Sequence, residues 1–221
     1  MANRRGDSLN RRTGHYLVSM RAVILISGHG SNLQSLIDNA KKIDLEICSV
    51  ISNNRDAFGL RRAEVANIES HFVNPSLFDS KDDFDKELIS IIDELGVSLI
   101  VLAGYMKILS SEFISHFSGK ILNIHPSLLP KFPGLNTHQK AIDAEEKYHG
   151  ASVHFVTEEL DGGPVISQEI VEVNSKDTES TLAQKVLEKE HILYPKVIHW
   201  YTQNRLKLIN KNCITFDGKI L

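Results

Sequence analysis

From Arg21 onward the apolar and polar positions of the chain follow two alternating periods. AVILIS (22–27) is a short, fully apolar run that ends in a Gly/Ser/Asn turn, and SNLQSLIDNAKK (31–42) then carries apolar residues at helical spacing. An apolar run feeding an amphipathic segment predicts a buried strand followed by a helix. The unit repeats. LEICSVIS (45–52) predicts a second strand and AFGLRRAEVAN (57–67) a helix with Leu60, Ala63 and Ala66 on one line. HFVN (71–74) predicts a short third strand, and KDDFDKELISIIDELG (81–96) a helix with Phe84, Leu88, Ile91 and Leu95 on its apolar stripe, stopped by Gly96. SLIVLAG (98–104) and KILNIH (120–125) predict two further strands, separated by a short helix over SSEFISHF (110–117) and followed by another over HQKAIDAEE (138–146).

The pattern then changes. ASVHFVTEEL (151–160) and PVISQEIVEV (164–173) both read as strands, and Asp161-Gly162-Gly163 between them predicts a sharp turn rather than a crossover helix. TLAQKVLEKEHILYPKVIHWYTQ (181–203) predicts a long amphipathic helix, and ITFDGKIL (214–221) a small hairpin-like tail. Strands alternating with helices predict an α/β, Rossmann-like fold of three layers: a mixed, mostly parallel sheet of about seven strands, covered on both faces, with ligands at the carboxyl ends of the strands. One domain over 21–221 is expected. Its nucleotide-binding half would span about 21–120 and its catalytic half about 103–203.

Composition narrows the class. Apolar residues are 42% and charged residues 24% of the 221, the balance of a globular chain with a sizeable core. A formal charge of −3 supplies no basic field for nucleic acid, so no nucleic-acid partner is expected. No apolar run approaches the ~18 residues of a membrane span, and no membrane partner is expected. Residues 1–20 carry Arg4, Arg5, Arg11 and Arg12 without a hydrophobic signal core, so a disordered tail ahead of the domain is expected there. Cys48 and Cys213 lie in apolar runs with no metal-ligand spacing, which predicts buried free thiols in a reducing cytoplasm.

Three segments offer chemistry. SGHGSN (27–32) joins the first strand to the first helix. Gly28 and Gly30 let the backbone approach an anion, Ser31 and Asn32 can cap the helix or donate to a phosphate, and the helix N-terminus favours negative charge. Leu33 stands where a dinucleotide fingerprint needs a third glycine, and Ser52, Asn53 and Asn54 where it needs an acid. A phosphate monoester fits better than a dinucleotide, although a tight structural turn would look the same. Asn123 and His125 end a strand two residues apart and so project to one face, where two donors could stabilise an oxyanion. Pro126, Pro130 and Pro133 stiffen the loop that follows. Asp161 is a turn residue unless its loop folds back over the strand ends, where its carboxylate would favour a protonated His125.

ISGHGSN (26–32), LNIHPSLLPKFPGLNTHQKAI (122–142), HGASVHFVTEELDGGPVI (149–166) and AGYMKILS (103–110) together resemble the folate-dependent phosphoribosylglycinamide formyltransferases, in order and over most of the chain. The resemblance implies formyl transfer from 10-formyltetrahydrofolate to the amine of glycinamide ribonucleotide, with small-molecule substrates, no metal, and a monomer or homodimer. It implies that Asn123, His125 and Asp161 are catalytic and that Gly30, Ser31, Asn32 and Glu190 bind the ribonucleotide. Lys81, Met106, Lys107, Ile108 and Leu109, together with Asn123, match folate-contacting positions. Lys81 and Lys107 stand where arginine is expected in some relatives, which keeps the charge but loses the planar fork. The rivals are a formyltetrahydrofolate hydrolase, a tRNA or sugar formyltransferase, and an inactive folate-binding module.

Overall fold

The computed structural model describes residues 19–221; the expected tail lies outside them, apart from its last two residues. The order is β1 (Met20–Ile26), α1 (Ser31–Asn39), β2 (Leu45–Ser52), α2 (Phe58–Val65), β3 (Glu69–Phe72), α3 (Lys81–Leu95), β4 (Leu99–Leu102) and α4 (Ser111–His116). It continues with β5 (Ile121–His125), α5 (Thr137–Asp143), β6 (Tyr148–Phe155), β7 (Val165–Glu172), α6 (Glu179–Thr202), β8 (Leu206–Asn210), β9 (Cys213–Phe216) and β10 (Lys219–Ile220). Seven strands form one sheet in the order β3-β2-β1-β4-β5-β6-β7, and β10-β9-β8 form a small separate one. Strands β3 to β5 pair in parallel, and β6 is antiparallel to both β5 and β7. The sheet is mixed and mostly parallel.

Both faces are covered because the central strands are apolar on both sides. Ala22, Ile24 and Ile26 of β1 join Leu33 and Leu36 of α1 and Leu182, Leu193 and Val197 of α6 in one core. Val23 and Leu25 of the same strand pack with Phe84, Leu88 and Ile92 of α3 and Phe113 of α4 in the other. Alternation along a single strand therefore feeds two cores. Helix α3 shows how the local sequence sets its limits. The Ser80 side chain accepts from the Asp83 amide at its start, Asp82 and Asp83 occupy the positive first turn, and Gly96 closes it at φ 58°.

Several expected details shift. β1 begins at Met20, inside the expected tail. The buried line of α3 runs through Ile92 rather than Ile91, and Asp85, also buried, accepts from the Ser110 amide at 2.5 Å. β3 lies two residues earlier than HFVN because its register follows β2, with Ser49 opposite Glu69 and Ser52 opposite Phe72. β6 starts at Tyr148, paired with Glu172, and α5 stops at Asp143, short of Glu145 at φ 50°. β8 has no counterpart in the sequence expectation. Cys48 and Cys213 are free as expected but only half-buried, Cys48 because β2 turns it away from the core.

One buried hydroxyl ties the layers together. The hydroxyl of Tyr194 of α6 lies 2.9 Å from both the Leu102 carbonyl, at the end of β4, and the Leu122 carbonyl, just before Asn123 in β5. Burial pushes its phenol well above the usual value, so it remains a donor. Tyr194→Phe leaves both carbonyls without it, and urea unfolding should show a loss of about 1–3 kcal/mol, the cost of unsatisfied buried groups. An unchanged midpoint would remove the anchor role.

Candidate active site

The parallel strands place their carboxyl ends along one edge, and the polar candidates gather there. β5 carries Ile121, Asn123 and His125 on one face; Ile121 lies in the core under α3 and α4, and polar side chains replace apolar ones toward the strand end. β4 lies beside it with Leu102 opposite Asn123, so the 103–110 segment leaves the sheet next to the Asn123 amide. From the other side the antiparallel β6 sets His154 opposite Asn123.

Asp161 does fold back. Its carboxylate Oδ2 lies 3.4 Å from His125 Nδ1, with the two side chains 9% and 7% exposed. The same oxygen accepts the Gly134 amide at 2.8 Å. Asp161 itself has φ 51°, and a Cβ on Gly163 would stand 1.8 Å from the Phe155 carbonyl oxygen, so the return path along β6 admits only glycine there. The other ring nitrogen of His125, Nε2, faces the Phe132 carbonyl at 2.9 Å. Both nitrogens thus face oxygen atoms, that of Phe132 at hydrogen-bond distance and that of Asp161 as a longer contact. The proline-rich loop closes on the pair through Phe132 and Gly134, and its own shape is held by Ser127 Oγ on the Lys131 carbonyl at 2.6 Å and Thr137 Oγ1 on the Pro126 carbonyl at 2.6 Å. On the outer side of the Asp161 loop a cleft of about 720 Å³ opens between Ile114, Val156, Glu158, Leu208 and Lys211.

His154 is the residue that sequence reasoning missed. It is buried, and desolvation lowers its pKa against the opposing pull of the Phe155 carbonyl and Asp161. Its Nδ1 lies 2.9 Å from the Phe155 carbonyl, so the neutral ring carries its proton there and presents a lone pair at Nε2. That lone pair accepts from Asn123 Nδ2 at 3.1 Å. The 3.8 Å approach of Asp161 Oδ1 to the same nitrogen is therefore not an ion pair. The tautomer of His154 fixes which way the Asn123 amide points, leaving its second N–H for the site. An alternating strand pattern contains this histidine, but only the β5–β6 register sets it opposite Asn123.

The ribonucleotide candidates divide. Gly30 is the N-cap of α1 at φ 73°, and a Cβ there would meet Gly59 Cα at 2.7 Å, so the α1 and α2 N-termini pack glycine on glycine. No side chain caps α1, so capping, one of the two roles expected for Ser31 and Asn32, is not the one seen, and the helix N-terminus is left for an anion. Asn32 instead donates through Nδ2 to Glu190 Oε2 at 2.8 Å, while its buried Oδ1 has no partner and is free to accept from a ligand amine or hydroxyl. Arg62, not singled out in the sequence, braces the turn with Nε on the His29 carbonyl at 2.9 Å and Nη1 on Gln34 Oε1 at 3.1 Å, and lies with Ser31 along a recess of about 430 Å³. Of the folate candidates, Met106, Lys107 and Ile108 are exposed, whereas the Leu109 side chain packs into the core and its carbonyl accepts from Lys81 Nζ at 3.1 Å. Leu109 therefore presents backbone rather than side chain. Among the described residues no cluster of three or more potential metal ligands occurs, and no helix is long and apolar enough to cross a membrane.

Burial raises the Glu190 carboxyl above its ordinary 4.5, partly offset by Asn32. A raised folded-state pKa contributes stability that is complete below the unfolded value and is lost as pH rises through the folded value. Glu190→Gln, which removes the titration, should therefore gain stability relative to the parent as pH rises from about 4.5 towards neutrality. Parallel pH–stability curves for the two proteins would contradict this. His154→Phe removes the acceptor that orients Asn123, and steady-state assays should show kcat reduced ~10-fold, the scale of one misplaced hydrogen bond, with both KM values little changed.

Residues 20–198 match the family model described as formyl transferase. Phosphoribosylglycinamide formyltransferase of Escherichia coli is 50% identical over 204 residues, 91% of this chain and 96% of its own length. The Haemophilus influenzae protein of the same name is 45% identical over 203 residues, 91% of this chain and 95% of its own. The solved phosphoribosylglycinamide formyltransferase of Coxiella burnetii superposes with a TM-score of 0.88 at 47% identity, over 91% of this chain and 95% of that one. The chain belongs to the formyl transferase family and, within it, to the phosphoribosylglycinamide formyltransferases.

Proposed function

We propose that this enzyme transfers the formyl group of 10-formyltetrahydrofolate to the amino group of glycinamide ribonucleotide, giving formylglycinamide ribonucleotide and tetrahydrofolate in purine synthesis. The observation that carries the reading is the convergence of Asn123, His125 and Asp161 at one strand edge, with Asp161 Oδ2 3.4 Å from His125 Nδ1. The bare α1 N-terminus and the unpartnered Asn32 Oδ1 beside Glu190 support a phosphate and a hydroxyl- or amine-bearing ligand on one side. The exposed Met106, Lys107 and Ile108 beside Asn123 support a flat, anionic-tailed donor on the other.

In this mechanism the amine lone pair attacks the formyl carbon, a C–N bond forms, and the carbonyl electrons move onto oxygen. The second N–H of Asn123 donates to that oxyanion. His125, with Asp161 beside its other nitrogen, turns its Nε2–H from the Phe132 carbonyl to the same oxygen, an exchange of one oxygen acceptor for a more charged one. The tetrahedral intermediate collapses with cleavage of the bond to N10. The proton lost by the amine passes through a water ordered by Asp161 to the departing nitrogen. No covalent intermediate with the protein forms, and holding both substrates supplies part of the acceleration by making the attack effectively unimolecular.

Purified protein incubated with both substrates should yield formylated ribonucleotide, and with either alone should yield nothing. Loss of formyl without the acceptor would indicate a hydrolase, and silence in every mixture a binding module. Asn123→Ala, His125→Ala and Asp161→Asn should each lower kcat by ~100-fold or more, as expected for loss of an oxyanion donor or its support. Turnover near that of the parent in all three would overturn the assignment.

A further inference from the structure

Ser27 follows β1 and borders the Gly28–Gly30 turn, yet every polar atom it has is engaged by a neighbouring strand end. Its Oγ donates to Asn53 Oδ1 at 2.5 Å and accepts the Met106 amide at 2.8 Å. Its backbone N–H donates to the Gly104 carbonyl at 3.1 Å, and its carbonyl accepts from Asn54 Nδ2 at 3.1 Å. Asn53 and Asn54 leave β2; Gly104 and Met106 leave β4. One hydroxyl, with one proton and two lone pairs, can serve a donor and an acceptor at once. A single residue thereby knots the carboxyl ends of three adjacent strands.

We infer that the Ser27 hydroxyl is the positioning group that holds the 104–109 segment at its working distance from the ribonucleotide turn, which rests on the reading that Met106 to Leu109 receive the folate. The segment is pinned at two ends. Ser27 holds Met106, while Lys81 Nζ on the Leu109 carbonyl at 3.1 Å and Asp85 on the Ser110 amide at 2.5 Å hold the other end. Between the pins, Met106, Lys107 and Ile108 present exposed side chains. Gly104 at φ 77° gives the segment a permissive hinge, so the first pin restrains what the glycine leaves free. Ser27 touches neither substrate nor reacting atoms in this role. It sets where the donor lies before the chemistry begins.

The test is Ser27→Ala with Ser27→Thr as the rescue, in steady-state assays with each substrate varied against a saturating amount of the other. Loss of the hydroxyl leaves the Met106 amide to water and Asn53 without its donor. KM for 10-formyltetrahydrofolate should rise ~10-fold, the scale of one lost hydrogen bond to an ordered segment, while KM for the ribonucleotide and kcat stay within about 3-fold. Ser27→Thr, which keeps the hydroxyl, should return the donor KM towards that of the parent. Amide exchange at Met106 should accelerate in unliganded Ser27→Ala and slow again in Ser27→Thr. A residue that merely stabilises the fold would lower the melting temperature and the active fraction without separating the two KM values. A donor KM within about 2-fold of the parent in Ser27→Ala, or equal rises for both substrates, would overturn the inference. The folate reading is checked separately in the parent protein: donor binding should slow exchange across 105–109, and no slowing there would sink that reading rather than the Ser27 link.

Discussion

The contact on which the site depends is the one between a carboxylate and an imidazole drawn out of water. Asp161 and His125 are each nearly buried, and charges taken from water without compensation cost several kcal/mol each. Attraction across 3.4 Å repays only part of that, so the remaining lone pairs and protons need partners. They have them. Gly134 gives its amide to the carboxylate and Phe132 gives its carbonyl to the ring, and both belong to the proline-rich loop. The stiffness of that loop is the reason its backbone can serve as a fixed pair of partners, since little conformational freedom is lost in presenting them. A flexible loop would supply the same groups with a larger entropic cost.

Two histidines in this cluster hold opposite electrostatic roles through their surroundings. His125 faces oxygen from both sides and is suited to carrying charge. His154, one strand away, is enclosed and neutral, with its proton committed to the Phe155 carbonyl. Were both charged, they would repel across the site; with one neutral, its lone pair is available to orient Asn123. The same setting therefore gives the two rings different partners, oxygen atoms around His125 and an amide donor at His154, a division that neither residue type dictates by itself.

The α1 N-terminus, proposed to receive the ribonucleotide, follows a different principle. Some of its polar groups are left unused rather than satisfied: an uncapped helix N-terminus and an asparagine oxygen without a partner. Unsatisfied buried groups reduce stability, and they persist where a ligand completes them. Glycine packed on glycine between α1 and α2 makes room for close backbone approach, and Arg62 holds the turn from behind. Tyr194, one helical turn beyond Glu190, links this region to the end of β4 and to Leu122, the residue before Asn123 in β5. The two substrate sides are thus parts of one rigid edge.

Much of the fold was legible in the chain because hydrophobic periodicity is local. AVILIS and LEICSVIS had to be covered on both faces, KDDFDKELISIIDELG carried its own stop, and Asp161-Gly162-Gly163 marked the turn between antiparallel β6 and β7. The pairing of Asn123 with His125 also followed from strand geometry alone. Where burial depended on a neighbour the sequence was silent: Ile92 is more deeply buried than Ile91, β3 takes its register from β2, and Asn32 turns to Glu190. His154, Arg62 and Ser27 were invisible as functional residues for the same reason. Their partners lie 31, 33 and 79 positions away. Periodicity and turn chemistry report what a segment does with its own backbone, so the sequence determined the elements and the strand end that bears Asn123 and His125. The register between strands and the return of the Asp161 loop are bonds between distant segments, and only the packed tertiary structure decided which groups would meet there.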